Sequence, residues 1–194
     1  SLNNSIIITG GAGFIGSNVV RQLTSENIEV HVFDNLSTGR LNNLDLKCEN
    51  LFFHDIDLKT DYTKWPQIKS NKLFHFAANA DVRGGINDHG IDFNENTLVT
   101  KSICDYCQLN NIKELIFSSS ATVYGEPDLF PTPENSSLIQ TSLYGASKLA
   151  CEAFIQAYSE YGIFKSSIFR FVSWTGIGYS HGVIYDFVKK LILD

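Results

Sequence analysis

The fold is decided by the stretch TGGAGFIG, residues 9–16, which directly follows three isoleucines at positions 6–8. A β-branched strand, a glycine-rich turn and a helix are the parts of a dinucleotide-binding unit. Gly10 lets the chain turn sharply, Gly13 leaves room for a pyrophosphate, and Gly16 lets the helix pack close to the sheet. The N–H groups that begin the helix would face the phosphates. Tight turns also favour glycine, so the interpretation depends on the flanking strand and helix.

An acidic residue follows the next apolar run. Asp34 lies eighteen residues after Gly16, where its carboxylate can accept hydrogen bonds from both hydroxyls of an adenosine ribose. The same negative charge would repel a 2′-phosphate, so the pattern favours NAD over NADP. Alternatively, Asp34 and Asn35 only form a turn, because both residue types favour turns. The glycine turn and the acid together predict an NAD site.

Strand-like and helix-like segments alternate along the whole chain. The predicted strands are residues 6–8, 28–33, 51–53, 73–77, 114–117 and 168–172, and the predicted helices are residues 14–25, 97–109, 144–161 and 183–193. This order predicts an α/β fold with a doubly wound parallel sheet, a Rossmann fold, in one domain over residues 1–194. Residues 126–141 contain three of the four prolines. We expect a lid or a binding loop there, or else a surface excursion.

Composition, charge and cysteine spacing argue against several classes of function. A net charge of −6 and a pI near 5.3 argue against nucleic-acid binding. No apolar run is long enough to span a membrane, and the first residues do not resemble a signal peptide, so a cytoplasmic protein is expected. Cys104 and Cys107 form a CxxC that could be a redox pair or half a metal site. Their helical setting, without a nearby histidine, favours small buried thiols instead, and no metal is predicted.

Two patterns in the second half carry candidate chemistry. Tyr144 and Lys148 form a YxxxK, whose spacing places both on one helix face, about 6 Å apart along the axis. The ammonium and a positively charged nicotinamide would lower the pKa of the phenol from about 10, so that it could act as a base. The run SSSATVYG, residues 118–125, follows the predicted fifth strand, where parallel sheets bind ligands. A hydroxyl there could share a proton with a reacting oxygen, although a serine-rich turn is the alternative.

With these motifs the chain resembles the extended short-chain dehydrogenase/reductase family, in particular its UDP-glucose 4-epimerase group. The resemblance covers nearly the whole chain and rests on TGGAGFIG (9–16), DNLSTG (34–39), Asp55-Ile56, HFAANA (75–80), Asn96 with Thr100, SSSATVYG (118–125) and YGASK (144–148). It implies a catalytic triad of Ser120, Tyr144 and Lys148. The cofactor-binding residues that it implies are Gly10, Gly13, Phe14, Ile15, Gly16, Asp34, Asn35, Ser37, Gly39, Asp55, Ile56, Phe76, Ala77, Ala78, Ala80, Asn96, Ser118, Tyr144 and Lys148.

The resemblance also implies a reaction and its partners. Tyr144 would remove the proton of the 4-hydroxyl of a nucleotide-diphosphate sugar, a hydride would pass to tightly bound NAD, and a transient 4-keto sugar would rotate before the hydride returns. Lys148 would hold the nicotinamide ribose and Ser120 would support the oxygen. A homodimer built from the helices at 97–109 and 144–161 is a further expectation.

The chain departs from the family pattern in two ways, and two alternative functions stay open. Ser173 stands where the family has an asparagine, and the Gly-Pro-Arg that follows in the family is absent from residues 174–178. Family members continue for over a hundred residues more, so the substrate-binding domain is expected to be absent or truncated. The chain could then be a catalytically silent NAD-binding module. A 4,6-dehydratase or decarboxylase is the other alternative, which Ala121 and Thr122 disfavour because those enzymes carry carboxylates there.

Overall fold

A computed structural model describes residues 5–79 and 88–173. Six parallel strands form one sheet in the order β3-β2-β1-β4-β5-β6. The strands are β1 (Ser5–Thr9), β2 (Glu29–Asp34), β3 (Leu51–Asp55), β4 (Lys72–His75), β5 (Glu114–Ser120) and β6 (Lys165–Phe171), and the helices are α1 (Phe14–Ser25), α2 (Val99–Leu109) and α3 (Leu143–Glu160). The strand order reverses between β1 and β4, which confirms the predicted doubly wound Rossmann fold.

The bounds of several elements differ from the sequence prediction. β5 runs on to Ser120, because its serine-rich end pairs with β6 up to Phe171. β4 ends at His75 and β6 begins at Lys165, both earlier than predicted. A π-helical segment, Phe93–Leu98, leads directly into α2. The predicted helix at residues 183–193 lies outside the described residues.

The two faces of the sheet carry two separate cores, which follow from the alternation of side chains along each strand. Ile7 of β1 faces a core closed by α2 and α3, whereas Ile6 and Ile8 face a core closed by α1. Ile7 and Ile8 are fully buried, and burial of such a side chain stabilises the fold by about 1.5–3 kcal/mol. The sheet is thus covered on both faces, and its strand ends are left to carry the site.

Three of the four cysteines belong to the core between the sheet and helices α2 and α3. Cys104, Cys107 and Cys151 are fully buried free thiols. Burial raises the pKa of each of them, so they remain protonated and act as small apolar groups, as the sequence predicts. Within residues 5–79 and 88–173, no helix combines the length and apolar character that a membrane span needs.

Candidate active site

The turn after β1 depends on glycine at two positions. Gly10 has a φ of +68°, and a Cβ there would lie 2.6 Å from the backbone nitrogen of Ala77. A Cβ on Gly16 would overlap the carbonyl group of Gly10. Glycine at position 16 therefore lets α1 pack closely against the turn at the end of β1. The sharp turn at Gly10 is as predicted.

The first turn of α1 presents backbone groups with little side-chain cover. Gly13 is the N-cap residue in an extended conformation, and no side chain of the described residues caps this end of the helix. A Cβ on Gly13 would meet only the carbonyl oxygen of Gly10, at 3.3 Å. A helix start of this kind, with Phe14 and Ile15 as its first residues, fits an anionic group.

Asp34 has a structural role that the sequence reasoning treated only as an alternative. Its Oδ2 accepts a hydrogen bond from the Ala12 backbone N–H at 2.9 Å, and its Oδ1 accepts one from Leu36 at 2.8 Å. The carboxylate is buried at the end of β2. It therefore joins the glycine turn to the next loop, and each oxygen retains a lone pair for a further donor.

The rest of the loop folds back onto the same turn. Asn35 accepts a hydrogen bond from the Ser37 N–H at 3.0 Å, and a Cβ on Gly39 would lie 2.9 Å from that of Ala12. Asp55 pairs with Asp34 across β2 and β3 and is exposed, while the Ile56 N–H donates to the Asp34 carbonyl at 3.2 Å. These predicted cofactor residues thus lie together beside the end of β2.

The segment after β4 borders the turn from the other side. The backbone N–H groups of Phe76 and Ala77 donate to the carbonyl and the hydroxyl of Thr9, at 3.1 and 3.3 Å. Ala78 follows, partly buried, and Ala80 lies outside the described residues. Phe76, Ala77 and Ala78 therefore stand next to Gly10, at the point where the strand order reverses.

The predicted catalytic residues meet at the ends of β5 and α3. The Ser142 hydroxyl caps α3 by accepting the Gly145 N–H at 3.0 Å, which places Tyr144 in the first helical turn and Lys148 in the second. Lys148 is almost fully buried, and its Nζ donates to the Ser118 carbonyl at 2.9 Å. Desolvation lowers the pKa of Lys148 to about 8. Its ammonium also lies 4.9 Å from the centre of the Phe117 ring.

The pKa of Tyr144 depends mainly on burial. Burial raises the pKa of the phenol, a hydrogen bond with Ser120 lowers it, and the negative charge of Asp92 raises it further. The predicted lowering relied on the Lys148 ammonium together with a positively charged nicotinamide. Among the described residues desolvation is the largest cause, because burial disfavours the charged form of the phenol.

A polar network supports Tyr144, and it joins the predicted Asn96 to Asp92, which the sequence did not predict as a site residue. Asn96 Nδ2 donates to the Ser147 hydroxyl at 2.9 Å, and Ser147 donates to the Tyr144 carbonyl at 2.8 Å. Asn96 Oδ1 accepts the Asn79 backbone N–H at 2.8 Å, and the Asn79 side chain donates to Asp92 at 3.0 Å. Asp92 is fully buried, and its Oδ2 has no hydrogen-bond partner among the described residues. Its position four residues before Asn96, on the same helix face, was the available signal.

His75 connects the glycine turn to the helices behind the catalytic residues. Its ring nitrogens lie 2.7 Å from the Thr9 hydroxyl and 2.9 Å from the Thr100 hydroxyl. Burial, and secondarily the charge of Lys148, lowers the pKa of His75 to about 3. The ring is therefore neutral near pH 7, and it acts as a buried hydrogen-bonded link.

A partly buried ion pair joins α3 to β6 beside β5. Arg170 of β6 donates twice to Glu152 of α3, at 3.0 and 2.8 Å, and the Ser119 hydroxyl donates to the same carboxylate at 2.5 Å.

Arg170 also stacks over Tyr124 at 4.8 Å and donates to the Glu134 carbonyl at 3.0 Å. The ion pair ties the predicted lid, residues 126–141, to the strand that carries Ser120.

Most of the predicted site residues gather at the carboxyl edge of the sheet. Ser118 is buried in β5, and Ser173 lies exposed just after β6. Residues 174–178, where the chain departs from the family, lie outside the described residues. Backbone groups from the β1 turn and hydroxyl groups from β5 and α3 therefore lie at one edge of the sheet, the place where open parallel sheets bind ligands.

Comparison with known proteins places this arrangement in a family. The model of the NAD-dependent epimerase/dehydratase family matches residues 6–193. A UDP-glucose 4-epimerase of Yersinia enterocolitica is 35% identical over 80% of this chain. The chain spans 48% of that relative, or about half its length.

Solved structures agree with this match. A crystal structure of a UDP-galactose 4-epimerase has a TM-score of 0.89 and 39% identity, covering 98% of this chain and 63% of that one. The UDP-glucose 4-epimerase of Thermus thermophilus, solved with NAD, has a TM-score of 0.79 and 30% identity, covering 86% of this chain and 54% of that one. The predicted resemblance and the predicted cofactor type are thereby confirmed, and the chain belongs to the NAD-dependent epimerase/dehydratase family.

Proposed function

We propose that this chain is the NAD-binding part of a nucleotide-sugar 4-epimerase, with Ser120, Tyr144 and Lys148 as its catalytic residues. The observation that carries the proposal is the convergence of these three side chains beside a glycine turn built for a dinucleotide. Family membership and the likeness to UDP-glucose and UDP-galactose 4-epimerases support it. Residues 1–194 are then one NAD-binding domain.

The residues of the first turn fit NAD. A Cβ on Gly10 would fill space at the Ala77 backbone, and Gly13 keeps the helix start clear for a pyrophosphate. Asp34 would accept the ribose hydroxyls with its remaining lone pairs, while Asn35, Ser37 and Gly39 shape the same rim. The other residues proposed to border the cofactor are Phe14, Ile15, Gly16, Asp55, Ile56, Phe76, Ala77, Ala78, Ala80, Asn96 and Ser118.

The chain's own residues would handle the proton. When bound, NAD supplies a hydride acceptor for carbon 4 of the sugar. Tyr144 takes the proton of the 4-hydroxyl, and Ser120 donates a hydrogen bond to the reacting oxygen. Lys148 orients the nicotinamide ribose, and its positive charge favours the phenolate. When the hydride is returned to the opposite face of carbon 4, Tyr144 gives its proton back to the oxygen of the 4-keto sugar, which completes epimerisation.

The identity of the two residues after Ser120 separates epimerisation from water elimination. Ala121 carries no functional group, and the Thr122 hydroxyl donates to Ser120 at 2.9 Å. Neither can act as the additional acid or base that a 4,6-dehydratase needs. The site therefore favours 4-epimerisation over elimination.

The test is to incubate the full chain with UDP-glucose deuterated at carbon 4 and to follow the products by NMR. We expect UDP-galactose that keeps its deuterium, because the hydride returns to the same sugar. A 4-keto-6-deoxy product would instead assign the chain to the dehydratases. NAD retention without any sugar conversion would favour a silent NAD-binding module.

We also propose that the chain forms a homodimer through α2 and α3. These helices expose large apolar side chains at Leu109 and Phe154, although their buried faces already pack on the sheet. Light scattering at micromolar concentration should report a dimer, and a monomer would contradict this interface.

A further inference from the structure

Thr122 makes two hydrogen bonds to the proposed catalytic serine. Its backbone N–H donates to Ser120 Oγ at 3.2 Å, and its side-chain hydroxyl donates to the same oxygen at 2.9 Å. Both contacts follow from the short 3-10 helix over Ala121–Tyr124, for which Ser120 is the N-cap residue. Thr122 is partly buried within this turn.

These two contacts determine what Ser120 can do. A hydroxyl group has one proton to donate and two lone pairs with which to accept. Because Thr122 occupies both accepting positions, the single proton of Ser120 must point elsewhere. The phenol of Tyr144 is the neighbour with which Ser120 shares a hydrogen bond.

We propose that Thr122 is a positioning residue, which holds the Ser120 hydroxyl as a hydrogen-bond donor, to Tyr144 before the proton transfer and to the reacting sugar oxygen after it. The inference rests on the proposed function, because it refines the roles of Ser120 and Tyr144 in that reaction. Donation from Ser120 stabilises the phenolate form of Tyr144, which is the form that accepts the proton of the substrate. Without the Thr122 hydroxyl, Ser120 can rotate and donate its proton to other acceptors.

The other groups that influence Tyr144 are known from the structure. Asp92, on the helical segment before α2, and Cys151, on α3, both raise the pKa of Tyr144. Lys148, one turn along α3, carries the neighbouring positive charge, and the nearby His75 is neutral. None of these groups changes when Thr122 is substituted, so a shift in the titration of Tyr144 would come through Ser120.

The test compares Thr122→Val, which keeps the shape and the backbone N–H, with Thr122→Ser, which also keeps the hydroxyl. Phenolate formation is followed by ultraviolet absorbance in NAD-loaded full chain, with each protein measured against the same variant carrying Tyr144→Phe. We expect Tyr144 to ionise at higher pH in Thr122→Val and at the wild-type pH in Thr122→Ser. In the epimerase assay, kcat of Thr122→Val should fall by about tenfold, with KM little changed.

Two results would overturn the inference. One is a wild-type titration of Tyr144 in Thr122→Val, and the other is an equal shift in both variants, which would assign the effect to side-chain shape. The optical titration needs no turnover, so it separates this inference from the proposed function. A Tyr144 shift specific to Thr122→Val, in a chain that converts no sugar, would leave the positioning role standing and remove the epimerase assignment.

Discussion

The glycine turn at residues 9–16 and the hydroxyl cluster formed by Ser120, Thr122 and Tyr144 lie at the same edge of the sheet. They differ in the chemical groups that they present. The turn offers backbone N–H groups, and it needs side chains to be absent at Gly10 and Gly16. The cluster offers side chains from β5 and α3, braced by Asn79, Asp92 and Asn96. Its chemistry depends on burial and on neighbouring charges.

Because of this difference, substitutions in the two regions should affect different properties of the protein. A substitution in the turn acts through backbone strain and overlap, so it should affect folding and cofactor binding together. A substitution in the cluster changes the protonation of one group, so it should affect turnover while leaving the fold and the cofactor in place.

The largest effect is expected for Gly10→Ala. The residue has a positive φ, and its Cβ would collide with the backbone at Ala77, so strain and overlap together should cost about 2–5 kcal/mol of unfolding free energy. Gly162→Ala is the matched control, because Gly162 has a φ of +73° with open space around it. It should lose only about 1–2 kcal/mol. Urea unfolding measures both variants. Equal losses of unfolding free energy would show that a Cβ at Gly10 does not collide with the backbone at Ala77.

His75 links the two regions, and its titration should weaken the fold in acid. Its pKa is about 3 in the folded chain against 6.5 as the ordinary value. Between these two pKa values His75 is protonated in the unfolded chain but not in the folded chain. The free energy of unfolding therefore decreases as the pH falls from 6.5 toward 3. Between about pH 7 and about pH 4, the wild-type protein should lose roughly 3 kcal/mol more than His75→Gln. Urea unfolding at both pH values checks this, and identical pH dependence would contradict it.

Asp34→Asn should weaken the recognition of the cofactor while keeping most of the loop in place. The amide retains an acceptor for the turn but loses the charge, which should cost about 1.5–3 kcal/mol of NAD binding and reduce discrimination against NADP. Asp45→Asn is the control. Asp45 accepts the N–H of Lys47, two residues later, as Asp34 does from Leu36, but Asp45 is exposed. Calorimetric titration with both cofactors gives the answer. Unchanged affinity and preference would leave Asp34 a turn residue only.

The smallest effect is expected for Asp92→Asn, which tests the electrostatics of the cluster. The charge of Asp92 raises the pKa of Tyr144, so its removal should lower that pKa. The acid limb of the kcat profile should then move to lower pH. Asp88→Asn, at an exposed position of the same segment, should leave the limb in place. A shift to higher pH in Asp92→Asn would reverse the assigned sign.

The fold and the turn were predictable because their signals are local. A β-branched run, TGGAGFIG and an acid after the next strand specify elements and backbone geometry within a short stretch of chain. The end of β5 was missed because Ser118, Ser119 and Ser120 look like a turn, whereas their strand geometry comes from pairing with β6. The Glu152–Arg170 pair joins residues whose contact depends on the same distant pairing.

The protonation of Tyr144 was not predictable from the YxxxK spacing. That spacing places Lys148 one turn away, but it does not reveal that the phenol is buried or that Asp92 is close to it. Burial and the charge of Asp92 raise the pKa of Tyr144, the hydrogen bond with Ser120 lowers it, and only the packed structure shows that the raising effects dominate.

The most direct test of the separation between scaffold and chemistry is Tyr144→Phe in the full chain, with bound NAD and 4-epimerase turnover measured on the same preparation. The substitution keeps the ring in α3 and removes the proposed proton acceptor. Tyr161→Phe, at the exposed end of the same helix, is the matched control. We predict normal NAD content in both variants, with turnover reduced by about 10²–10⁴ only in Tyr144→Phe. Wild-type turnover in Tyr144→Phe would contradict the account.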